Sequence, residues 1–410
     1  MRHTRTTAAA LAVLLASSAM AQAECGIEGS GSVRILSNDF EALHRVNEGA
    51  AECASGSVTV EMNQTVEHKT IQVPALTTDP ATYTVAVIAN NSIVPLLSAD
   101  LLRPLDEYVE KYGQNLQPQQ LVNMGDGVMA VAFMANGVHL FYRKDILEEN
   151  GIAVPTTMDE VFAALDALQA AGVEHPFASN FQPGWDLAAE FVNLYLGTGA
   201  DFFEPGTANL AIEGEAGVQV LETMKRLTEY MRPAFITDNG NTIMPLWKEG
   251  ELAMMFAWGS RARELLDTEG SETAANTAVA AMPAMTEGGP PAAALWWDGF
   301  TIAKNVSDED AEASFQGMAD ALGPDLAAEH GDTAVWLTKG YEPMPPAVGV
   351  NANIQAGARS YPMEPYMGIL HTALGKNLGE FIQGRESAEQ ALADVAQAYD
   401  TAAREQGFLQ

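Results

Sequence analysis

SVRILSNDFEALHRVNEGAAECASGSVTVEMN, residues 32–63, reads as strand, helix, strand. SVRILS (32–37) alternates at the two-residue period of an extended chain, and SVTVEMN (57–63) repeats the pattern after the helical stretch EALHRVNEGAAE. A third apolar strand, YTVAVIA (83–89), follows. Strands and helices in alternation with short connections describe βαβ units on a parallel sheet. Each strand runs into a polar cluster: Asn38-Asp39, then Asn63-Gln64-Thr65 with Glu67-His68, then Asn90-Asn91-Ser92. In open α/β sheets a ligand sits beyond the carboxyl ends of the strands, so the three clusters are expected to face one site.

The rest of the chain keeps the mixed character. LLRPLDEYVEKYG (101–113) is an amphipathic helix, and VMAVAFMANGVHLFYRKDIL (128–147) runs from one strand into another and then into a helix. Thr157 with Glu160 three residues on is a capping box, followed by apolar residues at 161, 162, 165 and 168. Residues 186–270 read as mostly helical, MTEGGPPAAA (285–294) as a Gly/Pro-rich connector, and ESAEQALADVAQAYDTAAREQG at the end as helix again.

Residues 1–23 stand apart. MRHTR is basic, AAALAVLLASSAM apolar, and Ala21-Gln22-Ala23 a small-x-small cleavage signal, so an exported chain starting at Glu24 is expected. The remaining ~387 residues exceed what one ordinary core accommodates and predict two domains or a two-lobed unit. The full chain carries 21 Lys and Arg against 54 Asp and Glu, a net charge of −33, which argues against nucleic acid or an anionic membrane as partner. Two cysteines, Cys25 and Cys53, are expected to form one disulfide in an exported protein, worth about 3–4 kcal/mol by chain entropy.

Catalytic signatures are missing: no GxSxG elbow, HExxH, P-loop, or GxGxxG after a strand. None of the seven histidines has a metal-ligand spacing to a carboxylate or cysteine. The acidic residues leave a glycosidase-type carboxylate pair open. The sequence therefore favours binding over chemistry, without metal or cofactor.

Four stretches then carry a resemblance, in order and over nearly the whole mature chain: GVHLFYRKDILEENGIAVPTTMDEVFAALDALQAAGVEHPFA, LWKEGELAMMFAWGS, WWDGFTIAKNVSDEDAEASF and SYPMEPYMGILHTALGKNLGEFIQGRESAEQALADVAQAY. They resemble the bacterial extracellular solute-binding proteins of the maltose-binding type, which feed sugar ABC transporters; Arg143 stands where that family usually has asparagine. The resemblance implies the two-lobed α/β periplasmic-binding-protein fold of type II, with a ligand cleft between lobes joined by hinge strands. It places 24–134 and about 298–350 in the N-terminal lobe, and 135–297 and about 351–410 in the C-terminal lobe. The crossings are expected near Ala132–Gly137, Trp297–Ala303 and 345–360.

Carried over residue by residue, the resemblance implies that Asn38 and Asp39 touch ligand hydroxyls after the first strand, and Asn90 and Asn91 after the third. Asn136 falls at the first crossing, with His139 on the same wall. Trp185 and Trp258 are the aromatics of the second lobe, Arg261 lies one turn beyond Trp258, and Tyr366 and His371 lie in the C-terminal segment. In ALWWDGFTIAK (293–303), Trp297 is expected to be a stacking wall and Asp298 a hydroxyl acceptor, with Trp296 packed behind the hinge. Aromatic faces suit the apolar C–H faces of a sugar ring, and Asn, Asp and Arg suit its hydroxyl rim. The expectation is a periplasmic monomer that carries a small saccharide or polyol to the permease of an ABC importer. The alternatives are a polyamine or organic acid on the same fold, or a secreted carbohydrate-active enzyme.

Overall fold

The computed structural model describes residues 25–124, 127–267 and 273–410; the predicted leader 1–23 and its cleavage site lie outside them. Among the described residues, eleven strands form two sheets. In chain order they are β1 (Gly31–Ser37), β2 (Val58–Gln64), β3 (Val85–Ala89), β4 (Leu121–Asn123), β5 (Val128–Asn136), β6 (Val138–Arg143), β7 (Phe177–Ala178), β8 (Met254–Trp258), β9 (Thr277–Ala280), β10 (Trp296–Ile302) and β11 (Val335–Trp336). The larger sheet has the order β11-β5-β10-β3-β1-β2, with β4 added against β5, and the smaller β7-β8-β6-β9.

The opening strand–helix–strand reading corresponds to β1, the helix Glu41–Glu52 and β2. β1 pairs in parallel with β2, from Gly31↔Val58 to Ser37↔Gln64, and also with β3. The helix buries Ala42, Leu43, Val46, Asn47 and Ala50, one face at helical spacing. β3 and β5 are apolar along nearly their whole length because both their faces are covered. Thr157 caps the helix Met158–Ala170: its hydroxyl accepts the Glu160 N–H at 3.3 Å, and the Glu160 carboxylate accepts the Thr157 N–H at 3.3 Å.

Two large hydrophobic cores form. One draws on residues between Ile27 and Met134 and again between Phe300 and Trp336. The other draws on residues between Val138 and Trp296 and again between Tyr361 and Ala403. The chain therefore passes between cores three times. Only Gly137 separates β5 in the larger sheet from β6 in the smaller. β10 starts at Trp296 beside the second core and runs into the larger sheet, antiparallel to both β3 and β5. The third passage includes the helix Val348–Gln355, whose buried Asn353 donates to the Val138 carbonyl (2.8 Å) and accepts from the Met282 N–H (2.7 Å). Cys25 and Cys53 form a disulfide, Cα–Cα 5.0 Å, that holds the start of the described chain to the end of the first helix.

Candidate functional site

β1, β2 and β3 are parallel neighbours, so their carboxyl ends open on the same side. The residues just past those ends, Asn38, His68 with Lys69, and Asn91, line one cavity of about 650 Å³. Asp298 joins them from β10, opposite Ala89 at the end of β3 and next to a bulge at Asp298/Gly299. A bulge of this kind re-aims a side chain, and here it accompanies a carboxylate turned into the cavity. The facing wall is made by Trp185, Trp258, Ser260 and Arg261 beside the smaller sheet, with Trp296 joining them from the start of β10.

The three tryptophans pack on each other. Ring centroids lie 5.8 Å apart for Trp185 and Trp258, 5.9 Å for Trp185 and Trp296, and 6.1 Å for Trp258 and Trp296. Tyr361 stacks behind Trp296 at 4.1 Å. Rings so close leave no room for a group between them, so they form a continuous aromatic wall rather than a cage. Trp185 remains 47% exposed, which leaves much of its surface free for contact.

Charge in the cavity is balanced. Lys69, Arg261 and Arg263 face Glu41, Asp298 and Asp332. Arg263 spans Glu41 and Asp332 at 3.2 Å each, and Arg261 donates to the Asn241 side chain at 2.8 Å. Among the described residues, neither the Lys69 nor the Asp298 side chain has a hydrogen bond, and they are coupled to each other only through space. Asp298 keeps a little contact with cleft solvent, yet protein surrounds it so closely that desolvation pushes its carboxyl up to about 7, with Lys69 pulling the other way. Desolvation lowers the Lys69 ammonium, and Asp298 raises it.

Seven of the thirteen residues expected at the site line this cavity: Asn38, Asn91, Asn136, Trp185, Trp258, Arg261 and Asp298. Asn136 is partly occupied, because its Oδ1 accepts the N–H groups of Gly137 (2.9 Å) and Ser260 (3.3 Å). The other six sit elsewhere. Asp39 turns to His44, 2.7 Å away, on the exposed side of the first helix. Asn90 is buried and donates to the Leu295 carbonyl (3.3 Å), fastening the end of β3 to the second crossing. His139 is fully buried against Phe141 and the helix at Gly349, where an added Cβ would lie 1.5 Å from its Nδ1; burial holds its pKa down to about 3. Tyr366 packs on Phe203 and donates to the Thr207 carbonyl at 2.5 Å.

Trp297 is corrected by its neighbour. Successive strand residues point to opposite faces. Trp296, 8% exposed, takes the cleft wall, while Trp297 packs against the first core. The expected assignment of the pair is thus reversed. His371 lines an adjoining recess instead of the main cavity. Its Nε2 lies 3.1 Å from the Trp185 carbonyl and so must carry the proton, which leaves Nδ1 to accept from the Tyr361 hydroxyl at 3.1 Å. Burial first, with Lys69 adding to it, lowers this imidazole to about 4 and keeps it neutral.

Lining residues that the sequence reading did not place at the site include Lys69, Glu41, Ser260, Arg263, Asp332 and Thr333, together with Trp296, which it placed behind the hinge. A signal existed for Lys69, which directly follows the Glu67-His68 cluster after β2. Asp332 and Thr333 belong to a turn whose place beside the cleft depends on tertiary packing alone.

The sequence pattern described as bacterial extracellular solute-binding protein matches residues 59–321. This chain belongs to that family. Solved structures agree with the assignment in fold. An Agrobacterium radiobacter ABC-transporter solute-binding protein in complex with ribitol is 18% identical, with a TM-score of 0.74, covering 92% of this chain and 100% of that one. The maltose-bound MalE3 of T. maritima is 18% identical, with a TM-score of 0.72, over 91% of this chain and 100% of that one. An Agrobacterium vitis solute-binding protein with bound D-mannitol is 18% identical, with a TM-score of 0.69, over 92% and 99%. A comparison with curated proteins found no match. The solute-binding family accounts for a two-sheet α/β chain with a cleft between two cores. Among the described residues, no group of three or more His, Cys, Asp or Glu could hold a metal ion, and no helix is long and apolar enough to cross a membrane.

Proposed function

We propose that this protein binds a small sugar or polyol between its lobes and delivers it to the permease of an ABC importer, without covalent chemistry. The observation that carries this reading is the pairing of an aromatic wall, Trp185, Trp258 and Trp296, with a polar wall whose Asp298 and Lys69 side chains have no hydrogen bond among the described residues. A sugar ring answers both walls, since its C–H face covers tryptophan and its hydroxyls donate to the carboxylate and accept from the ammonium. Three cations against three anions in the lining favour a neutral ligand over a polyamine or an organic acid. A cavity of about 650 Å³ lies within the ~300–1,000 Å³ usual for small-molecule sites. The ribitol, maltose and D-mannitol held by structures of this fold are ligands of the same chemical class.

The mechanism is lobe closure. Residues 24–134 and 298–350 form one lobe and 135–297 and 351–410 the other, moving about the three passages. A ligand that touches both walls has higher affinity for the closed arrangement and shifts the population toward it. The closed shape is what the permease reads. The protein acts as a monomer in the periplasm after cleavage behind Ala23. A thermal-shift panel of sugars and polyols tests the proposal, because a ligand at about 100 times its Kd adds about 2.7 kcal/mol to stability. Stabilisation by one or more neutral sugars or polyols is expected. Stabilisation by charged solutes alone would overturn the sugar reading, and turnover of a glycoside would overturn the binding reading.

A further inference from the structure

Beside the main cleft lies a recess of about 220 Å³, lined from one core by Asn91, Val94 and Pro95 and from the other by Tyr361, His371 and Thr372. Asn91 and Trp185 line both spaces, so the two are contiguous around these side chains. The volume far exceeds the ~10–15 Å³ that a single water requires. At the junction, the Oδ1 of Asn91 is buried and has no hydrogen-bond partner. A buried acceptor left empty is costly, and a hydroxyl arriving with a ligand would satisfy it. The far wall is held in place, since His371 bonds both the Trp185 carbonyl and the Tyr361 hydroxyl and its ring packs on Trp185 at 5.1 Å. One side is left open at Gly368, where an added Cβ would meet nothing within 4 Å.

We propose that the ligand is a two-unit saccharide: one unit lies on the tryptophan wall, and the second passes Trp185 and Asn91 into this recess. The proposal rests on the sugar reading above and adds ligand length to it. A second unit held between Pro95 and Thr372 touches both lobes, so it adds to the preference for the closed form as well as to contact.

The test fills the recess without touching the main cleft. Gly368 and Thr372 lie one turn apart at the start of the helix Met367–Ile382, and both are exposed. Gly368→Phe and Thr372→Trp put bulk into the recess, and replacing a helical glycine does not weaken the helix. Gly368→Ala is the control. Calorimetry is run on wild type and the three variants with glucose, galactose, mannose and xylose and with disaccharides built from each. Wild type is expected to bind its best disaccharide at least about tenfold tighter than the component monosaccharide. Both filled variants should bring that ratio close to one, with the monosaccharide Kd unchanged within about threefold, and Gly368→Ala should behave as wild type. Unchanged disaccharide preference in both filled variants, or no such preference in wild type, overturns the proposal. Binding of no sugar by wild type, together with no stabilisation by any polyol, would instead remove the underlying reading. Retained monosaccharide affinity is the check that the variants fold.

Discussion

The two walls of the cleft are built from different chemistry and by different means. The wall beside the larger sheet is polar and hangs on strand ends: Asn38 after β1, Lys69 past β2, Asn91 after β3, Asp298 on β10. The wall beside the smaller sheet is aromatic and belongs to the second core, with Trp296 inside that core and Trp258 packed against it. On the polar wall, the groups proposed to bind are appended to a fold that does not need them. On the aromatic wall, the proposed function makes the same rings serve stability and binding together. Substitutions should therefore separate function from folding on the first wall and confound them on the second.

The largest effect should come from Trp296. It is 8% exposed and packs on Trp185, Trp258 and Tyr361, so Trp296→Ala should lower unfolding free energy by about 3–5 kcal/mol as well as ligand affinity. Trp297, the next residue, is only partly buried, against the other core, and its alanine variant should cost about half as much or less. Denaturant titration of the two variants decides. Equal losses would mean that the division of the pair between cores is wrong.

Asp298 on the polar wall should behave in the opposite way. With a carboxyl raised to about 7 against an ordinary ~3.9, the folded state holds the proton where the unfolded chain has released it. That contribution to stability is complete below the ordinary carboxylate range and is lost as pH rises through about 7. Asp298→Asn should therefore melt increasingly above wild type between pH 5 and pH 8. Its ligand affinity should fall by about 1.5–3 kcal/mol at pH 8, where the lost acceptor is charged. A melting difference that stays flat across this range would show that Asp298 is solvated like a surface acid.

Trp258→Ala comes next. This ring stands at the end of β8 and faces the cavity, so the variant should fold and lose about 1–2 kcal/mol of binding, near tenfold in Kd. Affinity unchanged by calorimetry would remove Trp258 from the stacking surface and leave that role to Trp185.

The same contrast explains what could be read from sequence. Strand-end residues are placed by local period and topology, so Asn38, Asn91 and Asp298 were accessible from patterns of a few residues. The family's two-lobed fold was legible for the same reason, with a capping box at Thr157 and parallel strands visible in short windows. The aromatic wall was legible only in part. Whether Trp296 or Trp297 faces the cleft depends on the register of β10 against β5, where Trp296 lies opposite Asn136, and one residue of register reverses the answer. His139 and Tyr366 lie off the cavity because a helix at Gly349 and a ring at Phe203 cover them, contacts made across more than 150 residues of chain.

The smallest effect should come from a residue that joins the walls through ion pairs. Arg263, in the short helix Ala262–Leu266, reaches across to Glu41 and Asp332, which stand on the polar side. All three side chains are more than a third exposed, so the attraction is screened and worth about 1 kcal/mol at most. Arg263→Ala should leave stability unchanged and weaken ligand binding by less than about fivefold, an effect that disappears in high salt because only a solvent-exposed pair has been lost. A loss above about tenfold that persists in salt would place Arg263 in direct contact with the ligand. The aromatic side would then bind ligand through a charged group, and the division between a wall that reads hydroxyls and a wall that stacks would no longer hold.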